Sequence, residues 1–258
     1  MSFDDDLNAC AALVERGDPL RFRAAMAAPV AARRLLFPLY AFNFEVARAP
    51  WLTKESMIAE MRLQWWRDIC TQIAQGEAVR RHEVATPLAK AVTSEDAALL
   101  DELVAARRWD IYRDPFEDTA HLERYIDQTS GNLTWVAVRR LGAANEAVVR
   151  DAAYAAGIAG WLKAIPELEA AGRIPLLDGT ADGLRDLAGG ALKRLEKART
   201  RRGAVSRAAA VGLLHIGAAA PVLRAAIADP RRVALDTLPD PVQVDRLRIG
   251  WRALTGRW

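Results

Sequence analysis

The sequence predicts an all-α protein. Three observations carry this: alanine is abundant, apolar residues recur at helical spacing along most of the chain, and β-branched runs, Asn-Gly hairpin signals and strict apolar/polar alternation are nearly absent. No glycine-rich loop opens a βα unit. At 258 residues and 52% hydrophobic, the chain can bury one large core, and no shift in composition marks a boundary. A single domain over residues 1–258 is therefore expected, with a core at about residues 18–228 and a basic C-terminal helix over 242–258.

The elements follow in order. Ser2 and Asp5 have the form of a capping box for a first helix that reaches Gly17. Asp18 and Pro19 restart the chain as N-cap and N1 of a second, which stops near Pro29. Residues 33–48 then form a helix that is apolar nearly all round, with Leu36, Tyr40, Phe44 and Ala47 on one face and Pro38 within its early turns. Asn43, Glu45 and Arg48 interrupt this apolar surface. Burying a polar group without a partner costs about 1 to 3 kcal/mol, so these three must pair or line a wet cavity. Thr53 is the expected N-cap of the next helix, which carries Trp65 and Trp66 and ends near Gly76.

A short helix is expected over residues 87–92, and Ser94 should cap the one after it, which Asp114 and Pro115 break. Residues 122–141 read as a helix with a polar middle, Asp127 to Asn132. Gly131 there costs roughly 1 kcal/mol relative to alanine, which close approach of a backbone or ligand would explain. The next helix should stop at Pro166; two more follow near 184–199 and 205–228, and a last one over 242–254 after a Pro- and Asp-rich stretch. The longest uncharged run, residues 208–223, is shorter than the roughly 20 residues a membrane span needs and contains His215 and Pro221. It reads as a buried helix.

The start MSFDDD has neither the basic region nor the apolar stretch of a signal peptide, so a cytoplasmic location is expected, with peripheral attachment to the inner membrane as an extension. Cys10 and Cys70 are too few for a disulfide framework or a zinc site. His82, His121 and His215 are scattered and read as surface or satisfied core residues. Net charge is +3, but the cations concentrate in two clusters: Lys193, Arg194, Lys197, Arg199, Arg201 and Arg202, then Arg246, Arg248, Arg252 and Arg257 beside Trp251 and Trp258. Either these are a solvated helix face and a frayed tail, or they meet an anionic membrane surface or an acidic partner. No nucleic-acid module is recognisable.

The segments PVAARRLLFPLYAFNFE, QWWRD, TPLAKAV, ARRWDIY, YIDQTSGNL and GWLKAIPELEAAGRIPLL, in that order, resemble the squalene/phytoene synthase family. The resemblance implies an isoprenoid (terpenoid) synthase-like helical bundle around a central cavity, and active members condense two prenyl diphosphates head to head with Mg²⁺ held by aspartates on two helices. Counting from Leu39, the first aspartate motif falls on Ala47, Arg48 and Trp51. Counting back from Gly172 and Arg173, the second falls on Gly160, Lys163, Ala164, Glu167 and Leu168. Neither position set retains its aspartates.

YAFNFEVAR and RLQWWRD resemble more closely a divergent, noncatalytic branch of the family that includes a mitochondrial assembly factor for respiratory complex I. That resemblance implies a pseudoenzyme serving as an assembly or isoprenoid/lipid-binding factor, with an isoprenoid or lipid ligand, complex I subunits and an anionic membrane surface as partners and no nucleic acid. No catalytic or metal-binding residues and no cofactor are expected. The alternative is an active head-to-head prenyltransferase, which alone would need Mg²⁺. Pocket candidates are Tyr40, Asn43, Glu45, Arg48, Gln128, Gly131, Asn132, Lys163, Glu167 and Arg173. The Gln128 to Asn132 stretch is open between pocket lining and a polar interhelical network.

Overall fold

The computed structural model describes residues 3–244 and 248–258. Its helices are α1 Phe3–Gly17, α2 Pro19–Ala27, α3 Val30–Arg48, α4 Ser56–Gln75, α5 Ala85–Ala91, α6 Ser94–Ala106, α7 Thr119–Ile126, α8 Asn132–Leu141, α9 Glu146–Ala170 and α10 Ala181–Thr200. Shorter pieces follow: α11 Arg207–Ala210, α12 Ala219–Ala228, α13 Arg231–Ala234, α14 Pro241–Val244 and α15 Arg248–Thr255. No strand is present among the described residues. Ser2 and Arg246 lie outside them, and the expected last helix is described as α14 and α15.

Local chemistry sets most of the boundaries. Asp18 caps α2 by accepting the Arg21 N–H at 2.9 Å, with Pro19 in the first turn where its missing N–H costs nothing. Gly76 ends α4 in the left-handed region at φ 73°, with the Glu77 N–H donating back to the Gln72 carbonyl at 2.9 Å. Two caps differ from expectation. Thr93, not Ser94, caps α6: its N–H donates to Asp96 Oδ2 at 2.8 Å while the Asp96 N–H donates to Thr93 Oγ1 at 3.3 Å. Thr53 takes the Glu55 N–H at 3.1 Å in the turn before α4, so the helix starts later, without a side-chain cap.

Two interruptions also differ. α9 runs through Pro166 to Ala170, because Ile165 and Leu168 on either side are buried and proline removes only one backbone donor. The stop signal is Gly172, at φ 75°, after which the Arg173 N–H returns to the Leu168 carbonyl at 2.9 Å. The segment after Ser206 is divided by a 3₁₀ stretch, Val211–Ala218, between α11 and α12. By length and composition Arg207–Ala228 is long and apolar enough to cross a membrane, which the uncharged run alone did not suggest; 72% of its apolar window is buried inside the protein.

α3 is the element around which the first half packs. Leu36, Leu39, Tyr40, Ala41 and Phe42 are all buried, and α1, α2, α5 and α8 lie against it. α4 pairs with α6, and α9 pairs with α10, which in turn packs on α12. Two large hydrophobic clusters result, one from Cys10 to Ala137 and one from Phe116 to Trp258, with a small third of Ala24, Leu214 and Ile249. α8 belongs to both large clusters: Leu133, Val136 and Ala137 enter the first and Val138 the second.

Candidate functional site

A cavity of about 460 Å³ lies where the two halves meet, a size in the range of small-molecule sites. Asn43 and Ala47 of α3 and Trp51 of the following turn line one side; Gly157, Gly160, Ala164 and Glu167 of α9 line another. Gly157 lets α9 come close to the polar turn, since a Cβ there would lie 2.6 Å from Ile126 Cγ2 and 2.9 Å from Ser130 Cβ. Gly160 has nothing within 4 Å of its would-be Cβ, so it leaves the cavity open.

The polar middle that reads as part of one helix is a π-turn, Asp127–Gly131, between α7 and α8. Such turns add a residue and widen the helix locally, and they concentrate at functional sites. Here the turn brings Thr129 and Ser130 to the cavity wall. Thr129 Oγ1 donates to the Tyr125 carbonyl at 2.6 Å and Ser130 Oγ to the Ala153 carbonyl at 2.9 Å, which uses the backbone acceptors that the wider turn frees or approaches.

A buried polar triad forms the next part of the wall. Arg107 Nη1 donates to Tyr125 Oη at 2.8 Å and to Asp110 Oδ2 at 3.1 Å, and the Tyr125 hydroxyl donates to Asp110 Oδ1 at 2.8 Å. Burial pushes the Tyr125 hydroxyl well above its ordinary pKa and Asp110 adds to this, with Arg107 opposing, so it stays a donor. An aromatic group packs behind it: Trp109 stacks on Phe116 at 4.2 Å between ring centroids, and Tyr125 and Trp161 meet edge to face at 5.4 Å.

The sequence-derived candidates divide by location. Asn43 and Glu167 lie on the cavity wall. Arg173 sits beside it, donating to the Asp110 and Ile111 carbonyls, its guanidinium 5.3 Å from the Trp51 ring centroid. Glu45 pairs with Arg48 at 2.6 Å and faces a second, smaller cavity of about 250 Å³ with Trp65, Trp66 and His82. Asn132 is buried in an interhelical network: its Nδ2 donates to Leu99 O and Glu102 Oε2, both at 3.0 Å, and its Oδ1 accepts from Arg150 at 3.2 Å. Gly131 is buried beside the same network, where a Cβ would lie 2.6 Å from Asp127 Oδ1. Gln128 and Lys163 are half-buried and away from the lining.

Tyr40 lies in the core with its hydroxyl unpartnered, edge-on to His215 at 6.4 Å. His215 is not the satisfied histidine expected. The Gly212 carbonyl is near, but neither ring nitrogen makes a hydrogen bond of good geometry.

Arg21, Arg107, Asp110, Tyr125 and Trp161 line the cavity and were not singled out from sequence. Only the i,i+3 spacing of Arg107 and Asp110 offered a signal. The wall's carboxylates are Asp110, already held by Arg107 and Tyr125, and Glu167. Among the described residues no group of three or more His, Cys, Asp or Glu is arranged to hold a metal ion.

Residues 14–177 match the family described as squalene/phytoene synthase. The chain belongs to the squalene/phytoene synthase family. Its fold is the terpenoid synthase-like helical fold. A dehydrosqualene synthase solved in complex with ligand superposes at a TM-score of 0.74 and 14% identity over 98% of this chain and 95% of that one. Squalene synthase HpnC from Alicyclobacillus acidocaldarius superposes at 0.70 and 16% identity, over 90% and 95%. At such identities the likeness is one of fold. A relative from Drosophila melanogaster, described as a homolog of NADH dehydrogenase (ubiquinone) complex I assembly factor 6, is 31% identical over 172 residues, covering 61% of this chain and 50% of the relative. The match thus spans about half the length of that relative.

Proposed function

We propose that this chain is a noncatalytic member of its family that holds an isoprenoid or lipid chain in the central cavity and serves the assembly of respiratory complex I. One observation carries the reading. Ala47, Trp51, Ala164 and Leu168, which fall where the family's aspartates are expected, line the same cavity. Ionising a prenyl diphosphate needs divalent cations held by several carboxylates to neutralise the leaving group. Asp110 and Glu167 do not fit that requirement, because the first is already engaged by a cation and a hydroxyl and the second would stand alone. The apolar and aromatic remainder suits a hydrocarbon, and Arg21, Asn43 and Ser130 supply polar contacts at its margin. The 31% identical relative described as a complex I assembly factor homolog supports the biological half of the proposal.

The test has two arms. Purified protein is incubated with farnesyl or geranylgeranyl diphosphate and Mg²⁺, and no head-to-head product above the no-enzyme control is expected; product would establish the prenyltransferase reading instead. Deleting the gene is expected to deplete assembled complex I and leave carotenoids and hopanoids intact, and the reverse pattern would overturn the assembly role.

A further inference from the structure

The cations that close the chain converge on one place. Arg199 stands on the last turn of α10 and Arg202 in the 3₁₀ turn just after it. Arg252 comes from α15, where its side chain lies across Gly217; a Cβ at that position would overlap the guanidinium. Arg252 donates to the Gly217 carbonyl at 3.4 Å, and Arg202 to the backbone oxygen of Trp258 at 3.3 Å over the buried Trp258 ring. α15 is thereby fixed against the body of the protein.

That arrangement leaves the Arg199 charge unmatched among the described residues. Arg199 is half-buried and makes no hydrogen bond or ion pair among the described residues, and the Nε atoms of Arg199 and Arg202 are both buried without partners. Burial first, and then Arg202, Arg252 and Arg224 around it, pull the Arg199 pKa down to about 10. Glu196 offsets part of this at Arg199, and Arg224 already engages that carboxylate at 3.4 Å. Like charges at this spacing repel, and an arriving anion with several oxygens would relieve them.

Beside this charge the surface is apolar. Trp251 is 53% exposed and Leu254 74% exposed, three residues apart and so on one face of α15, while Ile249 and Trp258 are buried. The Arg257 guanidinium lies 5.2 Å from the Trp251 ring centroid, so aromatic ring and cation are presented together. An exposed Trp and Leu flanked by arginines on a docked amphipathic helix is the pattern of an interfacial anchor, where rings sit at headgroup level and cations meet phosphates.

We propose that the face built from the end of α10 and from α15 docks on an anionic phospholipid bilayer, with Arg199 and Arg202 meeting headgroup phosphates and Trp251 and Leu254 entering the acyl boundary. This is independent of what the central cavity holds. The whole chain is floated with vesicles of phosphatidylcholine alone and of phosphatidylcholine mixed with phosphatidylglycerol. It is expected to float with the mixed vesicles only. Arg199→Gln with Arg202→Gln should lower partitioning about tenfold or more, from the contribution of each basic residue near an anionic surface. Trp251→Ser with Leu254→Ser, both exposed and harmless to the core, should lower it independently, and Arg185→Gln at the far end of α10 should leave it within about twofold. Arg199→Gln alone, which breaks no hydrogen bond or ion pair among the described residues and leaves the Arg202 contacts that hold α15, should keep or raise the melting temperature and still lower partitioning severalfold, which separates lost binding from an undocked α15. No binding to mixed vesicles, equal binding by the two double variants and wild type, or binding of inorganic phosphate without binding of vesicles would each overturn the proposal.

Discussion

His215 and Tyr40 meet in the core with three polar atoms unpartnered between them, and Arg21 lies 5.7 Å from the Tyr40 ring centroid. Burial, with Arg21 adding to it, pushes the His215 pKa well below its ordinary 6.5, so the folded protein holds a neutral imidazole. The unfolded chain takes up that proton near its ordinary pKa while the folded chain does not. Stability is therefore full above about pH 6.5 and falls as pH drops below it, by about 1.4 kcal/mol per unit until the folded pKa is reached. His215→Leu should remove that part of the acid slope, as read from urea unfolding at a series of pH values. An unchanged slope would mean that the imidazole is charged or solvated when folded. Tyr40→Phe deletes a buried hydroxyl without a partner, so stability should hold or rise by about 1 kcal/mol in the same measurement. A loss would reveal a bound water or ligand at that oxygen.

Helix existence was legible because apolar period is a property of long stretches, whereas the places where the reading failed depend on single contacts. Thr93 and Ser94 are both good caps, and choosing between them requires Asp96, which is fully buried and also receives Arg139 Nε at 2.6 Å. A π-turn has no periodic signature of its own; the polar run from Asp127 marked the site, but only packing on α9 makes the extra residue fit. The cavity wall was half legible for the same reason. α3 and α9 announce themselves through segment order, while Tyr125, Asp110 and Trp161 join the wall from elements whose relative placement no local pattern encodes. Two glycines of α9 test the element directly. Gly157→Ala should cost about 1 to 3 kcal/mol, because the methyl group meets Ile126 and Ser130. Gly160→Ala, with open space before it, should be neutral or stabilise by up to about 1 kcal/mol through helix propensity. Thermal unfolding of the pair compares the two signs.

At the scale of the molecule, the two large hydrophobic clusters share α8, and the cavity takes its walls from both: Asn43 and Ala47 from the first half, Gly160 and Ala164 from the second. Neither half closes the cavity alone. Trp65 and Trp66 sit in the first half, and Trp109, Trp135 and Trp161 in or against the second cluster, so tryptophan fluorescence reports on both. If α8 couples the clusters, urea unfolding followed by fluorescence and by far-ultraviolet circular dichroism should give one coincident transition. A hydrocarbon ligand bound between the halves stabilises only the state in which they are together, so adding it should move that single transition to higher urea without splitting it. Splitting into two transitions, with only one displaced by ligand, would show that the halves fold separately and that the cavity belongs to one of them.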